Sequence, residues 1–352
     1  MFGRSICKKN QQGARFILAF FVCVDPRKGE VMKRIIIDCD PGIDDSLALI
    51  LALKSPELVV IGITICAGNV PVEIGGVNAY RVLKLLKRED IPIYLGDNNP
   101  IKRDLVTAQD THGDDGVGDV LPEIIIPKDA IKLGAVDYLV KTLKENGDVS
   151  IIALGPMTNL AKAVEREKEI LKRAERIVSM GGAFRTNGNC SQVAEFNYWV
   201  DPESVNIVFE NVDKPIELIP LDVTRKIVLT PNYREYLKQM RNEIADFIYN
   251  ITGFYVDFHW MQERTLGCVI NDPLAVAYFI EPSLCSGVLT HLECVENGRA
   301  IGQTLIDIGD FYRKTPNVFI NTEVDEKRFF ELFFHRVFPE NKKDNEIVLK
   351  GY

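Results

Sequence analysis

Four carboxylates are crowded into one short segment of this sequence. Asp38, Asp40, Asp44 and Asp45 lie within eight residues that also contain a Pro-Gly pair. Like charges at this density need a positive partner, and a hard divalent cation with oxygen ligands meets that need. The alternative is an acidic helix start, since the helix dipole favours aspartate there. A helix start explains Asp44 and Asp45 but not Asp38 and Asp40, so a metal site is the favoured interpretation.

The elements around this segment alternate between strand and helix. The apolar run Ile35–Ile37 predicts a buried strand before it, and residues 44–54 predict a helix after it. The predicted strands are Ile35–Ile37, Val59–Cys66, Ile91–Leu95, Val149–Leu154, Arg176–Met180 and Ile216–Leu221. Repeated βα units of this kind predict an α/β fold: a single domain over residues 32–352 with a mostly parallel, open, Rossmann-like sheet flanked by helices.

Further elements are predicted between and after these strands. A helix is expected near Ala130–Glu145, and helical sequence continues from Pro231 through Gln262 and again at Pro273–Phe279. Segments 289–295 and 300–308, around Asn297-Gly298, predict a β-hairpin. The last helix, Asp325–Phe338, is amphipathic and is expected to cover the sheet or a partner subunit.

Polar residues follow the predicted strands at one end. In an open parallel sheet, ligands bind at the carboxyl ends of the strands. The polar positions there, or before a later helix, are Asp40, Asp44, Asp45, Asn69, His112, Asn159, Glu195, Asn197, Asn271 and Asp272. Their convergence from distant parts of the chain predicts an active site at this edge of the sheet.

Several motifs resemble a known family. They are Asp38-Cys39-Asp40-Pro41-Gly42-x-Asp44-Asp45, Leu154-Gly155-Pro156-x-Thr158-Asn159-Leu160, Val193-Ala194-Glu195-Phe196-Asn197 before Asp201-Pro202, and Asp272-Pro273. This set closely resembles the signature of the inosine–uridine-type nucleoside hydrolases, from Lys33 to the C-terminal helix. The resemblance implies a Ca²⁺-dependent enzyme that hydrolyses the N-glycosidic bond of ribonucleosides to ribose and free base.

The resemblance also implies roles for individual residues. The calcium ligands would be Asp40, Asp45, the backbone carbonyl of Leu154, and Asp272. Asp40 would also be the general base toward a calcium-held water. The ribose hydroxyls would be bound by Asp44, Asn69, Asn189, Glu195, Asn197 and Asp272, with Asn187 as the alternative to Asn189. His112 would lie near the base.

Elementary chemistry agrees with these roles. An oxocarbenium-like ribosyl cation needs anionic oxygens around the sugar and a well-placed water. On an extended backbone, Glu195 and Asn197 would face the same side. The alternative for this pair is a polar loop that makes turn hydrogen bonds.

One residue departs from the family pattern. Many members carry a histidine before the late aspartate, where it can help to protonate the departing base, but this sequence has Asn271. Asparagine cannot deliver a proton at neutral pH. His259 and Trp260 are the nearby candidates for leaving-group activation or base stacking, and the alternative is that both simply pack on an amphipathic helix. Asn271 therefore leaves the base preference open.

Two other functions compete with the hydrolase. Asp38-x-Asp40 at a strand end also suits a haloacid-dehalogenase-like phosphohydrolase, but the rest of that pattern is missing. A catalytically weak nucleoside- or ribose-binding protein would keep the calcium and sugar groups and lack a leaving-group acid because of Asn271.

Composition bounds the partners and the compartment. A net charge of −8 argues against nucleic acid, and the eight cysteines, without a C-x-x-C pair, are typical of buried residues in a reducing compartment. We expect a cytoplasmic homodimer or homotetramer with no membrane partner. Residues 1–31 are interpreted as a disordered extension or a segment upstream of a true start at Met32; secretion is the alternative, since an apolar stretch follows basic residues.

Overall fold

The apolar β-rich runs pair into one nine-stranded sheet in the computed structural model, which describes residues 32–351. The expectations for residues 1–31 lie outside this range. The sheet strands are β1 (Lys33–Cys39), β2 (Leu58–Ile65), β3 (Ile93–Leu95), β4 (Ile131–Leu133), β5 (Val149–Ala153), β6 (Ile177–Met180), β7 (Ile216–Ile219), β10 (Cys285–Thr290) and β13 (Val318–Val324). Their order is β10-β13-β7-β6-β5-β1-β2-β3-β4. Only the β10–β13 pairing within this sheet is antiparallel, so the predicted, mostly parallel α/β sheet is confirmed.

The order in which strands are added to the sheet reverses between β1 and β5. From β1 the order runs outward through β2, β3 and β4, whereas from β5 it runs the other way through β6 and β7. This point of reversal opens a crevice beyond the carboxyl ends of the two strands, where ligands of such sheets bind. Asp40 follows β1 and Leu154 follows β5, so both are placed at that crevice.

Helices cover both faces of the sheet. They are α1 (Ile43–Lys54), α2 (Val72–Leu85), α3 (Gln109–His112), α4 (Ala135–Glu145), α5 (Thr158–Arg166), α6 (Phe196–Val200), α7 (Pro202–Phe209), α8 (Leu221–Thr224), α9 (Pro231–Met240), α10 (Glu243–Glu263), α11 (Asp272–Ile280), α12 (Glu326–Val337) and α13 (Lys342–Lys350). Alternate β1 residues point to opposite faces. Ile35 and Ile37 enter the core shared with α1, α11 and α12, and Ile36 enters the core shared with α4, α5 and α7.

Some predicted elements differ from the observed ones. The helix expected near Ala130–Glu145 begins only at Ala135, because residues 131–133 form β4 and Gly134 turns the chain at φ +98°. The continuous helical stretch after Pro231 is two helices, α9 and α10. The amphipathic C-terminal helix α12 buries Phe329, Phe333 and neighbouring side chains against α1 and α11.

The predicted β-hairpin is shorter than expected. Its strands are β11 (Leu292–Cys294) and β12 (Thr304–Ile306), which pair antiparallel. Leu289 and Thr290 belong instead to β10, whose pairing with β13 was not predicted. A further short antiparallel pair joins β8 (Val228–Leu229) to β9 (Cys268–Val269).

The remaining sequence expectations concern cysteines and membranes. All six cysteines within residues 32–351 are free, and Cys39, Cys66, Cys268 and Cys294 are buried as expected. Cys190 is exposed, so the expectation of a buried residue is wrong at that position. No helix among the described residues has both the length and the apolarity needed to cross a membrane.

Candidate active site

The turn between β1 and α1 places three carboxylates at the sheet crevice. Asp40, Asp44 and Asp45 are all buried there. Asp45 is part of a capping arrangement, since its Oδ2 accepts the Gly42 N–H (3.0 Å) at the start of α1. The helix-start explanation is therefore correct for Asp45, but this residue has further partners.

Asp45 and Asp40 are joined through the loop after β2. The Asn69 side-chain amide donates to Asp45 Oδ2 (3.0 Å), and the Asn69 backbone N–H donates to Asp40 Oδ2 (2.7 Å). The Asp40 backbone N–H donates to Asp45 Oδ1 (3.3 Å). Asp40 Oδ1, however, is buried with no hydrogen-bond partner within residues 32–351. An orphaned carboxylate oxygen in an enclosed site is costly unless a cation or a water is bound there.

Backbone encloses the Asp40 carboxylate on both sides. A methyl group at Gly68 would overlap Asp40 Oδ2, and a methyl group at Gly155 would overlap Asp40 Oδ1. Glycine is therefore required at both positions for this carboxylate to keep its place. Gly68 follows β2 and Gly155 follows β5, so the ends of two strands fix the position of Asp40.

The buried carboxylates form a group that could hold a metal ion. Oxygens of Asp44, Asp45 and Asp272 lie within 4.8 Å of one another. Burial raises the pKa of Asp45 to about 7, with the Asp44 charge adding to the effect. Burial also raises the pKa values of Asp40 and Asp272, and the charges of Asp45 and Asp44, respectively, reinforce it. Oxygen ligands of this kind fit a hard cation such as Ca²⁺, which would keep these groups ionised.

Asp38 lies outside this group. Its Oδ1 accepts hydrogen bonds from the Thr64 hydroxyl (2.5 Å) and the Asn159 amide (2.9 Å). Burial raises its pKa to about 7. Asp38 therefore links β1 to Thr64 of β2 and to Asn159 of α5 and does not face the cavity.

Glu195 and Asn197 lie at the start of α6, not on an extended strand. Glu195 caps α6, because its carboxylate accepts the backbone N–H groups of Gly182 (2.9 Å), Asn197 (2.8 Å) and Tyr198 (3.2 Å). Asn197 lies in the first turn of α6, and its amide donates to the Leu154 carbonyl (2.6 Å). The prediction of an extended pair is wrong, but both side chains do line one cavity.

Two neutral histidines with opposite tautomers face the same region. His112 Nδ1 accepts the Ile43 N–H (3.1 Å), so its proton must lie on Nε2. His259 Nδ1 lies 2.8 Å from the Tyr255 carbonyl, which can only accept, so Nδ1 carries the proton and Nε2 is left as an acceptor. Burial lowers the pKa of each histidine, which favours these neutral forms.

Asn271 lines the cavity, but both of its nitrogens donate to Asp44. Its side-chain amide donates to Asp44 Oδ2 (3.0 Å), and its backbone N–H donates to the same oxygen (3.2 Å). The Tyr255 hydroxyl is a third donor to Asp44 Oδ2 (3.3 Å). These bonds identify Nδ2 of Asn271, because a carboxylate oxygen can face only the donor atom of the amide.

These groups surround a cavity of about 480 Å³. The predicted site residues that line it are Asp44, Asn69, His112, Leu154, Asn189, Glu195, Asn197, His259, Asn271 and Asp272. Asp40 and Asp45 are fully buried and do not reach its surface. Trp260 does not line the cavity: the residue is 45% exposed, and the Arg264 guanidinium lies 5.4 Å from its ring centroid.

Comparison with known proteins decides the family. The profile of the inosine-uridine preferring nucleoside hydrolases matches residues 35–331. The chain belongs to this family. The pyrimidine-specific ribonucleoside hydrolase RihA of Salmonella enteritidis is 37% identical over 308 residues, which cover 86% of this chain and 97% of that protein.

Solved structures agree with this assignment. The purine-preferring ribonucleoside hydrolase from Gardnerella vaginalis superposes with a TM-score of 0.82 at 32% identity, covering 88% of this chain and all of that one. A plant nucleoside hydrolase gives a TM-score of 0.80 at 32% identity, covering 87% of this chain and 98% of the other. The protein is thus an N-glycosyl hydrolase of ribonucleosides, and the phosphohydrolase alternative is set aside.

Some cavity residues were not predicted from the sequence. Tyr255 contacts both Asp44 and His112, whose ring lies 5.1 Å from its own. Its position four residues before His259 puts both on one helix face, which is the signal that could have identified it. Arg225 and Glu263 also line the cavity and had no sequence signal.

The raised carboxyl pKa values predict how the metal-free protein responds to pH. Burial raises the pKa of folded Asp45 and Glu195 to about 7 each, whereas carboxyl groups of the unfolded chain have pKa values of about 4. The folded state therefore keeps protons that the unfolded chain has released, and its stability falls as pH rises through this window. We expect the melting temperature in excess chelator to fall between about pH 5 and pH 7.5. Excess calcium should reduce that fall, because the ion binds Asp45 in its ionised form. The same change of melting temperature with pH in calcium and in chelator would contradict the assignment.

Proposed function

We propose that this chain hydrolyses ribonucleosides in a Ca²⁺-dependent reaction in which Asp40 accepts the proton of the attacking water. The observation that carries the proposal is the buried group of Asp44, Asp45 and Asp272 at the crevice, next to which Asp40 has a buried oxygen without a hydrogen-bond partner among the described residues. Asp40, Asp45, Asp272 and the Leu154 carbonyl would hold the ion. When bound, Ca²⁺ supplies the positive charge that acidifies a water molecule and holds the ribose diol.

The residues around the cavity perform the remaining tasks. Asp44, held by three donors, and the amides of Asn69, Asn189 and Asn197 would bind the ribose hydroxyls. Carboxylates near the sugar, including Glu195, would stabilise the positive charge that develops on the ribosyl ring. The rate gain then depends on groups that are already oriented before the substrate enters.

Base preference is not assigned by relatedness. One relative is named for pyrimidine nucleosides and another for purine nucleosides, at 37% and 32% identity. We infer that the cavity recognises the ribose strongly and that the groups toward α10 set the preferred base. The cavity groups contributed by α10 include Tyr255, Phe258 and His259.

The test of the proposal is a panel of purine and pyrimidine ribonucleosides with and without calcium. We expect ribose release from at least one nucleoside, its loss in excess chelator, and its recovery when calcium is added back. Binding of ribose without any turnover would instead support the catalytically weak binding protein. Full activity in metal-free enzyme would contradict the metal assignment.

Replacing the proposed base should stop the reaction. Asp40→Asn keeps the shape of the side chain between Gly68 and Gly155 but cannot accept a proton from water at neutral pH. We expect kcat to fall by about 100-fold or more, the lower range for general-base catalysis. Asp38→Asn is the matched comparison, because it removes a buried carboxylate two residues away, at the end of β1, from a position that does not line the cavity. Near-normal kcat in Asp40→Asn would refute the role of Asp40.

Leaving-group activation is the second chemical role to assign. Since the amide nitrogen of Asn271 is taken by Asp44 and an asparagine cannot deliver a proton, we propose that His259 protonates the departing base through Nε2. Its Nδ1 proton is fixed on the Tyr255 carbonyl, so a second proton must enter at Nε2. Burial lowers the pKa of His259, so its protonated form is populated only at pH values below the ordinary histidine pKa of about 6.5.

This role predicts a pH dependence with a definite sign. With a natural nucleoside, kcat should fall as pH rises through the lowered pKa of His259, and His259→Gln should lose that limb of the profile. A nitrophenyl riboside, whose leaving group departs without protonation, should respond little to the substitution. Equal losses for the two substrates would show that His259 only shapes the cavity. His291→Gln, outside the cavity, is the matched control.

A further inference from the structure

Two walls of the cavity come from segments that are far apart in the sequence. One wall is the glycine-rich loop, residues 181–194, which carries Asn189 and Cys190 into the cavity. The other is the C-terminal half of α10, which contributes Tyr255, His259 and Glu263. The side chain of Arg225, directly after α8, lies between these walls.

The Arg225 guanidinium contacts both walls at once. Nη1 donates to the Thr186 hydroxyl (3.2 Å), and Nη2 donates to the Gly188 carbonyl (2.9 Å) in the glycine-rich loop. Nη2 also donates to Glu263 Oε1 (3.0 Å), at the last residue of α10. A planar guanidinium can serve several acceptors in one fixed geometry, and a lysine ammonium cannot reproduce it.

The start of the loop is held independently of Arg225. The Asp222 carboxylate, on α8, accepts the backbone N–H groups of Phe184 (2.8 Å) and Arg185 (2.7 Å). The far end is held by Glu195, which caps α6. The middle of the loop is also tied to its own far end, because the Asn189 backbone N–H donates to the Ala194 carbonyl (3.1 Å) and Asn189 Oδ1 accepts the Phe196 N–H (2.9 Å). What Arg225 adds is the link from this middle segment, at Gly188 next to Asn189, to the end of α10.

We propose that Arg225 is a positioning residue for nucleoside binding, which holds the Asn189 segment of the loop against the end of α10. The proposal rests on the ribonucleoside hydrolase activity. Loss of the guanidinium frees one wall from the other, so the nucleoside must order them when it binds. That ordering weakens substrate binding. The carboxylates at the other end of the cavity keep their positions, and His259 keeps its hydrogen bond to the Tyr255 carbonyl within α10, so the chemical step is largely preserved.

A direct contact between Arg225 and the substrate would make a different prediction. If Arg225 only touched the nucleoside, removal of Glu263 would leave that contact in place. If Arg225 acts by joining the walls, removal of Glu263 breaks the same link from the other side. The two substitutions would then weaken binding through one interaction, and their effects would not add.

The experiment is a kinetic cycle of Arg225→Met, Glu263→Met and the double variant. The substrate is the nucleoside that the wild-type enzyme turns over best, at saturating calcium. We expect Arg225→Met to raise KM about tenfold, the effect of losing one charged hydrogen bond, with kcat changed less than about threefold. Glu263→Met should raise KM in the same direction, and the double variant should be no worse than Arg225→Met.

Lys226→Met is the matched control, because Lys226 is the next residue and pairs with Glu323 outside the cavity. It should retain wild-type KM. Arg225→Lys keeps the charge but lacks the planar guanidinium with its several donors, so it should give an intermediate KM. It also replaces Arg225→Met if that variant does not fold. Wild-type KM in Arg225→Met overturns the proposal, as does a Glu263→Met enzyme with unchanged KM. Inactivity of the wild-type enzyme would instead refute the proposed function.

Discussion

The structure depends on the burial of several like charges at the ends of two central strands. Asp40, Asp45 and Asp272 are fully or almost fully buried, and this burial favours the protonated, neutral form of each carboxyl when no counter-charge is present. The fold offsets part of this cost with backbone N–H donors from Gly42, Asn69 and Asp40 itself. A sheet whose strand order reverses between β1 and β5 brings these groups together, and the same constraint makes a cation the natural partner.

Much of the framework could be predicted from the sequence because its signals are local. The strand at Ile35–Ile37 and the helix after Asp44 follow from an apolar run, a Pro-Gly turn and helical periodicity. Strand β4 is only three residues long, and β13 mixes polar and apolar residues, so neither has a comparable signal. The antiparallel β10–β13 edge was missed for the same reason, since its register depends on distant pairing rather than on a turn.

The sequence predicted which residues line the cavity better than it predicted how their side chains are oriented. Asp44, Asn69, His112 and Asn197 do line one cavity, because motifs at strand ends converge wherever a parallel sheet forms. The orientation of Trp260 away from it depends on the phase of α10, and the contacts of Asn271 depend on where Asp44 lies in space. Sequence spacing reports neither. The ligand roles, the homo-oligomer and the cytoplasmic location stay predictions.

The two glycines that enclose Asp40 make one end of the cavity less tolerant of substitution than the other. At the strand ends, backbone sets the place of the Asp40 carboxylate, and even one added carbon at Gly68 or Gly155 would displace it. At the other end, the surface is made of side chains on one helix and one loop, which can be exchanged one at a time. A family built this way can vary the side chains near the base while the carboxylates at the strand ends keep their positions, which accords with relatives named for opposite classes of nucleoside.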